Sequence, residues 1–277
     1  MTLVLSSHFY NPGWDFFGSK WNGNLGIFGI AIFVLGSFLT AIPALFLSML
    51  IGLGIAIAST VYLPKVVTRI LDPFVDLLAG IPSIIYGLWG YLLLAPIFGL
   101  TLEPWAATHL TFIPGYRAPS YTYVAGEGLP LAIVVLTLMS LPITTLLIRD
   151  ALRAVPRDLV ESGLALGATQ WETVRRVTMR HGSRGIWSAA FLGFGRAFGE
   201  TVAVAMVIGD ATKYPTSVFS ETSTIAAFIF SNFEGATHLE LQVFAELALL
   251  LLAISMAVNI VGRRFVSALY TQEVAGL

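Results

Sequence analysis

The chain has 277 residues, 56% of them hydrophobic and only 11% charged, against roughly a quarter charged in soluble domains. This balance excludes an ordinary soluble domain. It predicts an all-α integral membrane protein: several uncharged stretches exceed the ~20 residues that carry a helix across the hydrocarbon core, and alternating segments of about ten residues, the mark of a membrane barrel, are missing. A net charge of −1 argues against a nucleic-acid partner, and the lack of cysteine rules out disulfides, thiolate catalysis and thiolate metal sites.

The first 24 residues carry only Leu3 to Leu5 as an apolar core and no basic start, so they do not read as a signal peptide. Residues 1–32 are expected to form an extracytoplasmic or interfacial lead-in. Apolar stretches follow at Phe33 to Tyr62, Leu77 to Leu100, Leu129 to Ile148, Ile186 to Gly209 and Leu241 to Gly262, which predicts five spans. The uncharged run Leu25 to Leu63 allows one long tilted helix, the preferred reading, or a tight hairpin near Gly36 to Pro43 that would give six spans. In AGIPSIIYGLWGYLLLAP, Ala79 to Pro96, glycine and proline mark a broken turn with small residues for helix packing. Ser83 and Tyr86 place hydroxyls beside that turn, which also makes it a candidate wall of a transport path.

Orientation follows from Lys and Arg. Lys65, Arg69, Arg149, Arg153, Arg157, Arg175, Arg176, Arg180, Arg184, Arg263 and Arg264 fall in alternate connections, whereas Lys20, Arg117 and Lys213 fall on the other side. Eleven against three places residues 150–185 and the C-terminus in the cytoplasm, with the N-terminus outside if there are five spans. No internal repeat or flexible linker divides the chain, so residues 1–277 read as a single membrane domain.

The cytoplasmic stretch Arg153 to Ile186 predicts two short helices about a glycine corner. Pro156 suits a first helical turn, Asp158 and Glu161 favour its N-terminal end, and Gly167 can take the left-handed conformation that stops it. Thr169 to Glu172 has the spacing of a capping box, with Arg175, Arg176 and Arg180 toward the following C-terminal end. Leu159, Val160 and Leu164 would form a small apolar face, while Arg157, Asp158 and Glu161 stay solvated. A DNA-binding helix-turn-helix has a similar outline, but the nearby membrane spans leave no room to approach a duplex. A structural loop and a docking surface for a cytoplasmic protein remain.

Glu161-Ser162-Gly163, three further residues, Gly167, nine residues and Val177-Thr178-Met179-Arg180 resemble the EAA loop of ATP-binding-cassette (ABC) importer permeases. Ser162 and Gly163 replace two alanines of that pattern, and Arg180 replaces a proline. Together with Gly80 to Pro96, Gly195 to Asp210 and Phe244 to Arg264, the chain resembles the phosphate-specific, PstC-type permease family over roughly residues 33 to 266. The resemblance implies a polytopic bundle of 5–6 transmembrane helices with the ABC type I importer permease fold, and members usually have six spans. It implies a multi-pass protein of the cytoplasmic (inner) membrane that is no enzyme and that moves inorganic phosphate by alternating access. Its partners would be a second, PstA-type permease, two copies of a cytoplasmic ATP-binding subunit, an extracytoplasmic phosphate-binding protein and membrane lipid. Glu161, Ser162, Gly163, Leu164 and Gly167 would then contact the ATPase. No Gly-x-x-x-x-Gly-Lys-Ser/Thr occurs, so no cofactor is expected on this chain, and ATP and Mg would be used by the partner.

Arg196 and Glu200 are charges inside an apolar stretch, where each costs at least ~2.5 to 3.5 kcal/mol on insertion scales and almost always faces protein. Four residues apart on a helix, they could pair on one face and either meet phosphate or pin the helix to a neighbour. Gly195 and Gly199, with the same spacing, suggest a close helix contact beside them. Ser83 and Tyr86 complete the candidate translocation residues. Asp72 and Asp76 read as a helix start, and Glu246 as a pore or packing residue. His8, His109, His181 and His238 are scattered, and no metal site or catalytic pair is expected. Outside, Trp105, Phe112, Tyr116, Tyr121 and Tyr123 are candidate interfacial or binding-protein contacts. A permease for molybdate, tungstate or sulfate, or a passive anion channel, remains the alternative function.

Overall fold

A computed structural model describes residues 14–15, 18, 20–23, 27–109, 126–215 and 217–275. The expectations for Phe112, Tyr116, Tyr121, Tyr123, His8 and most of the 1–32 lead-in lie outside them. Among the described residues, four helices are long and apolar enough to cross a membrane: Ala31–Tyr62, Ser83–Ala106, Leu129–Arg153 and His238–Ala268.

The first long helix, α1 (Ala31–Ile57), continues through a π-helical turn to Tyr62. One helix therefore takes most of the uncharged run, from Ala31 to Tyr62, and no hairpin forms near Gly36 to Pro43. Ser37 and Thr40 help hold this part together, their hydroxyls donating to the Phe33 and Gly36 carbonyls at 2.8 and 2.9 Å. Helix α2 (Lys65–Ala79) follows, and the chain breaks at Gly80 to Pro82 before α3 (Ser83–Trp89). The second span thus starts at Ser83 and not at Leu77, because Pro82 sits in extended conformation (ψ 141°) ahead of α3. From α3 the chain stays helical through π-helical turns at Gly90–Leu94 and Phe98–Leu102 into α4 (Glu103–His109).

After α5 (Leu129–Arg153) come two short loop helices, α6 (Arg157–Ala165) and α7 (Gln170–Thr173), then α8 (Ser183–Phe198). The apolar stretch expected as one span from Ile186 to Gly209 is interrupted. Helix α8 ends at Phe198, residues Gly199 to Thr201 leave the helix, and a short α9 (Val202–Ala205) resumes it. Helix α10 (Ile225–Asn232) and the long α11 (His238–Ala275) complete the order.

Packing divides the chain into two units that share its long helices. The first comprises residues 1–43, 82–136 and 198–255. In it the short strands β1 (Trp14–Asp15), β2 (Trp21–Asn22) and β3 (Ile27–Gly29) pair in the order β1-β3-β2, with β1 parallel and β2 antiparallel to β3. Beside them Phe33 stacks on Phe228 with ring centroids 4.0 Å apart, and Trp21 meets Phe228 edge-on at 4.8 Å. Phe28, Ile225, Val243, Phe244 and Leu247 close this core. The segment IAAFIF is thus a buried helix, Ile225 to Phe228 being sequestered from solvent. Side chains satisfy two N–H groups of its first turn: Thr224 Oγ1 accepts from the Ala227 N–H and Ser37 Oγ accepts from the Ile225 N–H at 3.1 Å. Asp210, at φ 50°, anchors the preceding segment by accepting from Ser223 Oγ (3.1 Å) and Asn232 Nδ2 (3.0 Å).

The second unit comprises residues 44–81, 137–197 and 256–277. Its core joins Ala56 and Ile57 of α1, Ile148 and Leu152 of α5, Val174 of the loop and Ala189 of α8.

Gly36 lets α1 touch the 222–224 segment, since a Cβ there would run into the Ser223 carbonyl oxygen. Gly54, on the same helix, has nothing within 4 Å of its would-be Cβ. Gly36→Ala should cost about 1–3 kcal/mol by overpacking and lower the melting temperature in detergent, whereas Gly54→Ala should leave it unchanged or slightly raised.

Candidate functional site

The loop between α5 and α8 is the better defined of the two candidate sites. Helix α6 starts after Pro156, whose ψ of 133° sets the entry, and its exit runs through Gly167 at φ 84°. That left-handed residue turns the chain, and only glycine adopts it without strain. Helix α7 begins in a complete capping box: the Glu172 N–H donates to Thr169 Oγ1 (3.2 Å) and the Thr169 N–H donates to Glu172 Oε2 (2.9 Å). The Thr169 backbone bond, then its hydroxyl, hold the Glu172 pKa below the usual carboxylate range. The helical path then runs through His181, so the arginine at 180 does not end it, and Gly182 makes the exit instead.

Gly163 faces Thr173 with a would-be Cβ at 3.4 Å, an ordinary contact, so glycine in place of alanine is a steric option and not a requirement. Ser162 Oγ donates back to the Asp158 carbonyl at 2.6 Å. Glu161 is exposed, as are Leu159 and Leu164, while Val160 is half-buried. Leu166 is 89% exposed and Trp171 54% exposed. These two were not anticipated from the sequence. The available signal was position, since a large apolar residue on either side of a glycine corner has no helix face to return to. The result is an ordered surface projecting apolar side chains beside the exposed carboxylates of Asp158 and Glu161, a form suited to a protein cleft.

The intramembrane candidates are distributed over both units. In the first unit, α3 packs on α9 through Gly87, whose would-be Cβ lies 2.8 Å from the Ala203 Cα. Half-buried Ser83 and Tyr86 lie on α3, and Glu200 immediately precedes α9 and accepts from the Ala203 N–H at 3.3 Å. Their elements are therefore brought together. Arg196 belongs to the second unit, exposed in the last turn of α8. The expected helical pairing of Arg196 with Glu200 does not form, because the helix ends between them. Gly199 likewise lies beyond the helix end, leaving Gly195 near Asn259 at 3.8 Å. Glu246 is half-buried on α11.

A charge cluster stands where only a helix start was expected. Asp72 and Asp76 lie in the interior of α2, outside its first turn. Arg149, buried to 5% side-chain exposure on α5, bonds Asp72 at 2.7 Å and Asp76 at 3.1 Å, and Arg153 bonds Asp72 at 2.7 Å. These are the ion pairs among the described residues. Burial raises the Asp72 pKa, but the Arg153 and Arg149 hydrogen bonds and charges outweigh it and hold the carboxyl below its ordinary value.

Four helices of membrane-spanning length and apolarity among the described residues define an integral membrane protein. The chain belongs to the family described as binding-protein-dependent transport system inner membrane component, which matches residues 49–270. Its similarity runs over most of its length to phosphate transport system permease proteins PstC. That of Haemophilus influenzae is 37% identical over 240 residues, covering 87% of this chain and 76% of the relative. That of Mesorhizobium japonicum is 36% identical over 257 residues, covering 91% and 77%. PstC 1 of Mycobacterium tuberculosis is 34% identical, covering 86% and 72%. The fold is that of ABC importer permeases. A chain of the MetNI methionine ABC transporter, solved in inward-facing conformations, aligns with a TM-score of 0.61 at 20% identity, covering 86% of this chain and 96% of that one. An amino acid ABC transporter gives 0.56 at 16% identity, covering 85% and 92%. The protein is thus a multi-pass inner-membrane component of a transport system and not an enzyme.

Removing Arg149 leaves Asp76 without its ion-pair partner and Asp72 with Arg153 alone, and both carboxylates still reach water, so Arg149→Gln should cost about 2–3 kcal/mol, somewhat under the usual figure for a broken buried pair. Arg153→Gln, at an exposed position, should cost about 0–1 kcal/mol. Thermal unfolding in detergent measures both. The depressed Asp72 pKa gives the sign with pH: its stabilisation is complete above about pH 4, the ordinary aspartate value, and is lost as pH falls through the lower native value. Arg149→Gln should flatten that acid-side loss.

Proposed function

We propose that this chain is the permease subunit of an ATP-driven importer that carries inorganic phosphate inward by alternating access. The observation that carries this is the similarity to PstC permeases along nearly the whole chain, joined to an ordered loop whose exposed apolar residues suit an ATPase cleft. Lys and Arg bias supports a cytoplasmic loop and C-terminus. The partners are then a second permease of the PstA type, two ATP-binding subunits docked on the loops, and an extracytoplasmic phosphate-binding protein. ATP and Mg belong to the ATP-binding subunits, and this chain binds no cofactor.

Arg196 is the proposed phosphate-carrying cation. Arg196 is exposed in the last turn of α8, inside an apolar stretch, and a charge there favours water or another protein over lipid, whose contact costs at least ~2.5 to 3.5 kcal/mol. Its guanidinium offers the forked donors that a stripped oxyanion needs. In the first unit, Ser83, Tyr86 and the α9-capping Glu200 are the proposed polar residues of the path. Glu161, Ser162, Gly163, Leu164 and Gly167 form the proposed ATPase contact.

In the assembled transporter, Arg196→Gln should lower ATP-dependent phosphate uptake at least about tenfold, a loss of about 1.4 kcal/mol in transition-state stabilisation or more. Wild-type uptake should be inhibited by phosphate far more than by molybdate or sulfate. Near-normal uptake by the variant, or preferential inhibition by another oxyanion, defeats the corresponding part of the proposal.

Gly167→Pro cannot keep φ 84°, and Glu161→Lys reverses an exposed charge among the apolar residues of α6. Each variant should reach the membrane in normal amount yet lose copurification with the ATP-binding subunit. Retained copurification of both would place the docking surface elsewhere.

A further inference from the structure

Helix α2 carries a surface that the transport reading does not use. Lys65, Arg69, Asp72 and Asp76 recur at spacings of four, three and four residues and share one stripe. Val66, Ile70, Phe74 and Leu77 occupy the opposite stripe and are 58–73% exposed. None of the helix's residues is buried.

Three observations say what covers the apolar stripe. The Arg149 and Arg153 ion pairs hold the Asp72/Asp76 stripe toward α5, which turns the opposite stripe away from the protein. The connections on either side are Leu63 to Pro64 and Gly80 to Pro82, between helices long enough to span a membrane. At about 3.4 Å per extended residue neither end of α2 can leave the bilayer boundary by more than roughly 10 Å. Finally, the stripe is made of large branched and aromatic side chains, whereas helix contacts inside membranes favour Gly, Ala, Ser and Thr. This chain follows that rule where its own elements meet closely, at Gly36 and Gly87.

We propose that α2 is a lipid-contacting boundary helix, with Val66, Ile70, Phe74 and Leu77 against acyl chains and Lys65 and Arg69 at anionic headgroup phosphates. No ion pair engages either basic residue among the described residues, and amphipathic helices with such a pair favour anionic surfaces. By fixing α2 to α5, the Arg149 cluster would pass changes at this lipid contact directly to the helix that leads into the coupling loop. The inference rests on the orientation proposed above only for the choice of the cytoplasmic leaflet.

The chain has no cysteine, so a single introduced cysteine carries a unique spin label. Labels at Ile70, Phe74 and Leu77, and at Lys65 and Arg69, are read in the full transporter with cysteine-free partner subunits, reconstituted in phosphatidylcholine with or without phosphatidylglycerol. Collision with oxygen should exceed collision with a water-soluble nickel chelate at least about threefold at the three apolar positions, as for side chains seated ~5–10 Å into the boundary, and the order should reverse at Lys65 and Arg69. Phosphatidylglycerol should further reduce motion of the Ile70 label, and Lys65→Gln with Arg69→Gln should abolish that response. Low collision with both reagents at the apolar positions would mean a partner subunit covers the stripe, and dominant nickel collision would mean water does. Either overturns the inference without touching the phosphate reading, which uptake tests separately. An unchanged response to phosphatidylglycerol would remove the headgroup contact.

Discussion

One buried guanidinium organises the second unit. Arg149 is drawn out of water at the end of α5 and holds two carboxylates of α2, an arrangement that is stable only when every partner is present. On the same helix end, Ile148 and Leu152 join the core that receives Val174 from the loop after α5 and Ala189 from α8. The rotation of α2, the base of the loop and the root of the Arg196 helix all therefore depend on one stretch of α5. Any force applied at the loop meets a packed and ion-paired base, not a flexible tether.

The first unit solves a different problem. A short helix can be buried in an apolar environment only if its free N–H groups find partners. Thr224 from its own cap and Ser37 from α1 supply partners for two of them, while Asp210 ties the preceding segment to Ser223 and Asn232. Gly36 gives the backbone room to approach. The aromatic cluster around Trp21, Phe33 and Phe228 then fills the remaining space with edge-on and stacked contacts.

Several features were legible because they depend on neighbouring residues alone. The Thr169 to Glu172 capping box and the left-handed Gly167 formed as their spacing required, and most of the long uncharged run became one helix. Others failed for a physical reason. A four-residue spacing places Arg196 and Glu200 on one face only while the helix continues, and the helix stops at Phe198 with Glu200 capping the next turn. Asp72 and Asp76 resembled a helix start because their partners, Arg149 and Arg153, lie far away in sequence. Leu166 and Trp171 escaped notice because periodicity describes helix faces and they flank a corner.

By itself, then, the sequence determined the helical membrane class, the charge bias of the loops, the punctuation of the loop after α5 and the family resemblance. Each is set by composition or by residues a few positions apart, where backbone sterics and hydrogen bonding act directly. The tertiary structure alone decided where the apolar stretch after the loop breaks, which acids meet Arg149, and which apolar residues stay uncovered. Those outcomes come from competition among distant segments for the same buried partners, and no local pattern encodes who wins.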